Sequence, residues 1–166
     1  MDDFTRTALA DQKYVAFCYG HCIGNNGPGG AAMKLYVPNG EPIEQARPSR
    51  KTTNHIADMV SVIDALRETP EGAEVSVCLN SDYIKNGVEK YLAKWVGNNW
   101  RNAQGREVAN IEKWQMIRDL TATRNVTFHK IKDHSGNPDK EHVCALALEA
   151  AKSAAKRALR ASRGMR

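Results

Sequence analysis

Apolar and polar positions fall into blocks along the chain, and the period of each block predicts its element. Tyr14–Tyr19 is a short apolar run rich in aromatic and β-branched residues, as a buried strand requires. Ala31–Val37 and Pro42–Ala46 continue it as a three-stranded meander, and Pro38-Asn39-Gly40 supplies an Asn-Gly hairpin turn between them. The period then lengthens. Ile56, Met59, Val60, Ile63 and Leu66 follow helical spacing, with Asn54 as the predicted cap and Pro70-Glu71-Gly72 as the stop. Glu74–Leu79 is apolar on both faces, which predicts a central strand covered by helices. Ser81 opens a helix through Leu92, a further segment carries Trp95 and Trp100, and a polar loop spans Asn102 to Arg106. Ile111–Arg124 is helical, Val126–Ile131 is the last strand, and Asp139 is the predicted cap of a terminal helix facing inward through Val143, Leu146, Ala147 and Ala150.

Three strands, a helix, a strand, helices, a strand and a helix make an α/β protein: a mixed five-stranded sheet with helices on both faces. A chain of 166 residues with 42% hydrophobic residues suits one core better than two. Residues 1–12 have no apolar periodicity and no convincing cap, so they are expected to form a flexible arm before a domain spanning 13–151. Residues 152–166 are expected to be a basic helical extension, because Lys152, Lys156, Arg157, Arg160, Arg163 and Arg166 occur there without an acid. An acidic start and the absence of a long apolar run argue against a signal peptide or membrane span, and the expectation is a soluble, cytoplasmic protein. Cys18, Cys22, Cys78 and Cys144 form no C-x-x-C pair and suit reduced, structural thiols.

Candidate chemistry is densest where the first strand ends. Tyr19 and Gly20 run into His21-Cys22-Ile23-Gly24-Asn25-Asn26-Gly27-Pro28-Gly29-Gly30, a glycine-rich turn that lets backbone N–H groups approach a phosphate or sugar. The formal charge of +5 favours an anionic partner.

Together with Thr52-Thr53-Asn54, Asn80-Ser81-Asp82-Tyr83, Trp95 to Trp114 and His134-Ser135-Gly136-Asn137-Pro138, this stretch resembles type 1 ribonuclease H in order and separation, over about residues 13 to 151. The resemblance implies the ribonuclease H fold. It also implies cleavage of RNA in RNA/DNA hybrids by water activated between two Mg²⁺ ions held by four carboxylates. At the matching positions this chain carries Tyr19, Asp58, Asn80 and Cys144, so one carboxylate of the four remains, and it is a methylene shorter. A tyrosine ring at 19 is expected to project into the space of the metals and the scissile phosphate. His134 matches the family's mobile histidine, or is a loop histidine without a role. No metal or other cofactor is expected; Mg²⁺ enters only if a rearranged site is active, and a zinc ion on Asp58, Cys144, His134 and His21 stays open.

The resemblance treats the nucleic-acid surface differently. Asn25, Asn54 and Asn86 match minor-groove contacts, Thr53, Ser81 and Asn110 match a grip on a DNA phosphate, and Asp82 stands where a donor is expected and repels phosphate. Tyr91, Trp95 and Trp100, interleaved with Lys85, Lys90, Lys94, Arg101, Arg106 and Lys113, resemble the family's basic protrusion; Trp114, at helical spacing with Ile111 and Ile117, reads as core. The terminal basic face fits phosphates, an acidic partner protein, or a solvated helix end favoured by the dipole. The reading is a catalytically inactive ribonuclease H-like protein binding RNA/DNA hybrid or structured RNA. Its alternatives are an active hybrid ribonuclease with a rearranged metal site and a scaffold subunit of a nucleoprotein assembly.

Overall fold

A computed structural model describes residues 1–132 and 135–164. Strands β1 (Tyr14–Cys22), β2 (Gly27–Tyr36) and β3 (Ile43–Thr52) form the antiparallel meander, and β4 (Glu74–Leu79) and β5 (Asn125–Lys130) add in parallel beyond β1. The order is β3-β2-β1-β4-β5, so the mixed five-stranded sheet is as expected, with β1 central and β3 on an edge. Alternation along β1 divides the core. Ala16 and Cys18 face α2 (Asn54–Arg67) and α5 (Ile111–Ala122) with Met59, Val62, Leu66, Trp114 and Ile117. Val15, Phe17 and Tyr19 face α6 (Pro138–Gly164) with Val143 and Ala147. The helices come unusually near the sheet because glycine stands under each. A Cβ on Gly20 would strike the backbone of Ala57 and Asp58, and one on Gly30 would strike the backbone of Ala147.

Between β4 and α5 the chain forms α3 (Asp82–Asn86), a π-helical turn (Gly87–Tyr91) and α4 (Leu92–Gly97). The turn is wider than an Asn-Gly hairpin: β2 and β3 are separated by residues 37–42, and the Gly40 N–H donates to the Val37 carbonyl at 3.3 Å with Asn39 at φ 59°. None of the four cysteines is in a disulfide, and burial pushes the Cys78 thiol up to about 12, so it stays protonated near neutrality. Among the described residues no helix is long and apolar enough to cross a membrane.

Four expectations need correction. The first residues are a helix, α1 (Asp3–Ala10): Asp2 caps it by accepting from the Thr5 N–H at 2.8 Å, and Thr5 and Ala8 are buried. The Asp-x-x-Thr start carries little periodic signal, because the inward residues Thr5, Ala8 and Leu9 include only one large apolar side chain. The cap of α2 is Thr53, whose hydroxyl accepts from the Ile56 N–H at 3.1 Å, while Asn54 looks back to β1. The cap of α6 is Asn137, which accepts from the Lys140 N–H at 3.0 Å. Asp139 is instead buried in the first turn, accepting from the Tyr36 hydroxyl at 2.6 Å and pairing with Lys34 at 3.1 Å. Strand β3 also runs well beyond Ala46, because an edge strand facing water need not be apolar.

Candidate nucleic-acid interface

The four positions of the metal centre converge at the C-terminal ends of the two central parallel strands. Phe17 pairs with Cys78, and continuing that register two residues sets Tyr19 beside Asn80. Helix α2 lies directly over Gly20, whose N–H donates to Asp58 Oδ1 at 2.7 Å. Helix α6 brings Cys144 to the apolar cluster that contains Tyr19. Burial pushes the Asp58 carboxyl up to about 6, against the partly offsetting hydrogen bond from Gly20.

Tyr19 departs from expectation. Its ring does not stand in an open site; it is 5% exposed and packed with Val15, Phe17, Val143 and Ala147 between β1 and α6. The side chain follows the strand's alternation and removes itself into the core, so an apolar contact fills the space between strand and helix. The donors left near Asp58 are an amide and a thiol, a set that does not match the hard anionic oxygens Mg²⁺ requires. Among the described residues no three His, Cys, Asp or Glu side chains are grouped to hold a metal ion. His134 lies outside the described residues, and His21 is exposed on β1.

The surface beside this centre is built from α2, α3, α5 and the protrusion. Asn54 Oδ1 accepts from the Cys22 N–H at 3.0 Å and ties the start of α2 to the glycine-rich turn, where Asn25 is exposed. Thr53 and Ser81 both have second occupations: each hydroxyl caps a helix, α2 and α3, at 3.1 and 3.2 Å. Asn110 has left-handed backbone, φ 58°, and donates to the Tyr83 hydroxyl at 3.1 Å. The same hydroxyl accepts from the Trp114 indole at 3.1 Å. Tyr83 is thus the hub of the surface, together with His55, whose ring lies 4.0 Å from it. Neither was singled out from sequence, since a lone tyrosine or histidine at a helix start carries no periodic signal.

From Tyr83 the rings run on continuously. Trp114 lies 5.3 Å away, Trp95 5.3 Å from Trp114, and Tyr91 stacks on Trp95 at 5.8 Å. Trp114 is fully buried, as its spacing predicted, whereas Trp95 is half-buried and Tyr91 exposed. Trp100 lies apart from this row, under the Arg118 guanidinium at 5.6 Å. Asn86 is half-buried at the end of α3. Asp82, expected to repel phosphate, pairs with Lys130 at 2.8 Å, which offsets its charge locally.

A profile of the RNase H family matches residues 11–152. The chain belongs to the RNase H family. The match leaves out α1 and the last turns of α6, so these are additions around the shared fold. Ribonuclease H of Bartonella quintana is 35% identical over 143 residues, covering 86% of this chain and 92% of that one. Ribonuclease H of Chlorobium phaeovibrioides is 37% identical over 130 residues, covering 77% and 88%. In three dimensions LC9-RNase H1, a type 1 RNase H with the type 2 active-site motif, superposes with TM-score 0.73 at 23% identity, covering 86% of this chain and 73% of that one. LC11-RNase H1, solved in complex with RNA/DNA hybrid, gives 0.65 at 22%, covering 86% and 99%.

Proposed function

We propose that this RNase H-family protein binds RNA/DNA hybrid, or RNA of similar shape, without cleaving it. The observation that carries the reading is the donor set at the centre: a core tyrosine, an aspartate committed to the Gly20 N–H, an amide and a thiol. Four carboxylates would oppose two divalent ions with a formal charge equal to theirs, whereas Tyr19, Asp58, Asn80 and Cys144 offer one negative charge at most near neutral pH. An electrostatic deficit of that size prevents a two-metal centre from assembling, and a neighbouring general acid does not replace the activated water. The binding half of the reading is supported by the exposed rings and cations of the protrusion, by Asn25 and Asn54 around the glycine-rich turn, and by the hybrid-bound relative. The basic end of α6 is a secondary contact in this reading, for phosphate or for an acidic protein surface.

The names of the relatives favour a second reading, an active hybrid ribonuclease with a rearranged site. One experiment separates the two. Hybrid is incubated with Mg²⁺ and either the native chain or a variant combining Tyr19→Asp, Asp58→Glu, Asn80→Asp and Cys144→Asp. No cleavage by the native chain and weak cleavage by the combined variant support the binding protein, and each change alone should do nothing because the four act as a unit. Cleavage by the native chain that disappears in Asp58→Ala or His134→Ala promotes the enzyme instead.

A further inference from the structure

Beside the hybrid interface lies a groove that the carboxylate centre does not account for and that takes one cation, Lys113, from those matched to the protrusion. It has a volume of about 310 Å³ and is walled by the edge strand β3, helix α2 and helix α5. Three elements converge on it. Arg47 and Ser49, two apart on β3, line it together with Lys51 and Thr52, which lie where the pairing of β3 with β2 shifts register. Ile56, Val60, Ile63 and Arg67 recur at helical spacing along α2, and Lys113 and Met116 are three apart on α5. The floor is apolar, through Val60, Ile63 and Met116. The rim is cationic, through Arg47, Lys51, Arg67 and Lys113.

Among the described residues the lining contains one acid, Asp64, and it is already engaged. It is 8% exposed on its side chain and takes both Nε and one terminal nitrogen of Arg47 at 3.0 and 3.1 Å. The remaining positive charge is therefore available to a ligand. Arg67 is exposed and makes a long contact, 3.9 Å, to the Met116 sulfur. A solvated helix face does not require this arrangement, because three separate elements direct their cations into one concavity. A cationic rim over an apolar floor fits a flexible anion whose charges are spaced along a chain carrying flat apolar groups.

The position of the groove narrows the ligand further. It shares Ile56 and Lys113 with a neighbouring cleft of about 480 Å³ that contains Asn110, one of the residues matched to the phosphate grip. A strand held at Asn110 and Thr53 thus has a continuous path along α2 into the groove. A concavity of about 310 Å³ is far smaller than a duplex and suits phosphates and unstacked bases of one strand.

We propose that this groove binds a single-stranded extension of the nucleic acid held at the adjoining interface, with Arg67 and Lys113 on its phosphates and the floor of Val60, Ile63 and Met116 against its bases. This rests on the nucleic-acid reading above. It is tested by anisotropy titration of the full chain with two probes, a blunt RNA/DNA hybrid and the same hybrid carrying a short oligo(dT) extension on either end of its DNA strand. The ratio of the two affinities is the readout, so a variant that merely unfolds loses both and is recognised by circular dichroism. The tailed probe should bind about tenfold tighter at low salt, with a log–log salt slope steeper by about 1–2 from the added phosphate contacts. In Arg67→Glu, and independently in Lys113→Gln, that ratio should fall toward one. Equal affinity of the native chain for both probes overturns the groove while leaving hybrid binding in place. A tail advantage that survives Arg67→Glu overturns it as well, by placing the contact elsewhere. Failure of both probes to bind overturns the nucleic-acid reading and the groove together.

Discussion

The ends of β1 and β4 and the surface along α2 and α5 lie side by side, yet they are built in opposite ways. At the strand ends there is little charge. Tyr19 has withdrawn into the core, Asn80 and Cys144 are neutral or weakly acidic, and Asp58 hydrogen-bonds the backbone. Along α2 and α5 hydrogen-bonding and cationic groups persist, but for two different reasons. Thr53, Ser81 and Asn54 hold the local fold together: two cap helices and the third fastens α2 to β1. Their presence would be expected with or without a ligand. Arg67 and Lys51 make no comparable structural contact among the described residues, so they are the better witnesses to binding. The physical lesson is asymmetric. Closely spaced buried carboxylates cost stability unless a cation compensates them. A cap or a surface cation carries no such cost.

The sharpest way to break this contrast is to attack the residue on which the binding surface rests. Trp114 is fully buried and holds Tyr83 by its indole N–H and Trp95 by ring contact. Trp114→Ala should lower stability by about 3–5 kcal/mol, read by denaturant unfolding, and should release Tyr83 and Trp95 from their places. A loss below about 1 kcal/mol would mean that the aromatic row is not a packed unit.

Next in size is the effect of charge at the strand ends. Asp58 has a carboxyl pKa raised from 3.8 to about 6, so folding favours its protonated form. Its contribution is then fully stabilising below 3.8, is lost as pH rises through about 6, and stays unfavourable above that. Asp58→Asn can keep the acceptor for the Gly20 N–H without the charge. It should stabilise the protein by up to about 3 kcal/mol above pH 6 and by nearly nothing near pH 4, measured as unfolding free energy against pH. A gain that is flat with pH would show that the carboxyl is not the source.

Tyr19→Asp alone, by the same reasoning, places a second carboxyl in the apolar cluster without a metal and should cost on the order of 2–4 kcal/mol at neutral pH. Thermal melts of this variant beside Asp58→Asn give changes of opposite sign if charge removal accounts for the present sequence. The smallest expected effect lies outside the family's span. Asp2→Ala removes the α1 cap and the bond to the Asn137 side chain at 3.1 Å, and should cost about 1 kcal/mol, with hydrogen exchange rising first in residues 3–10.

Much of the fold was legible because its signals are local and periodic. β4 is bounded in the structure as its apolar run suggested, Trp114 is core as its spacing with Ile117 suggested, and Ser81 caps as its place before a helix suggested. What failed was whatever depends on a partner distant in sequence. Asn54 and Asp139 read as caps because their neighbours allow it, but Cys22 and the Lys34–Tyr36 pair claimed their side chains, and Thr53 and Asn137 took the caps. Helix α1 was missed because a helix with only one large apolar side chain facing inward has no readable period; docking against the sheet decides it. The ring of Tyr19 was placed wrongly, because only the closeness of α6, permitted by Gly30, makes the space behind β1 an apolar cavity for it. The groove of Arg47, Arg67 and Lys113 could not be foreseen at all. Composition determines how many cations a chain has, and period determines which face of its own element each takes, but only the packing of β3, α2 and α5 decides that the three faces meet.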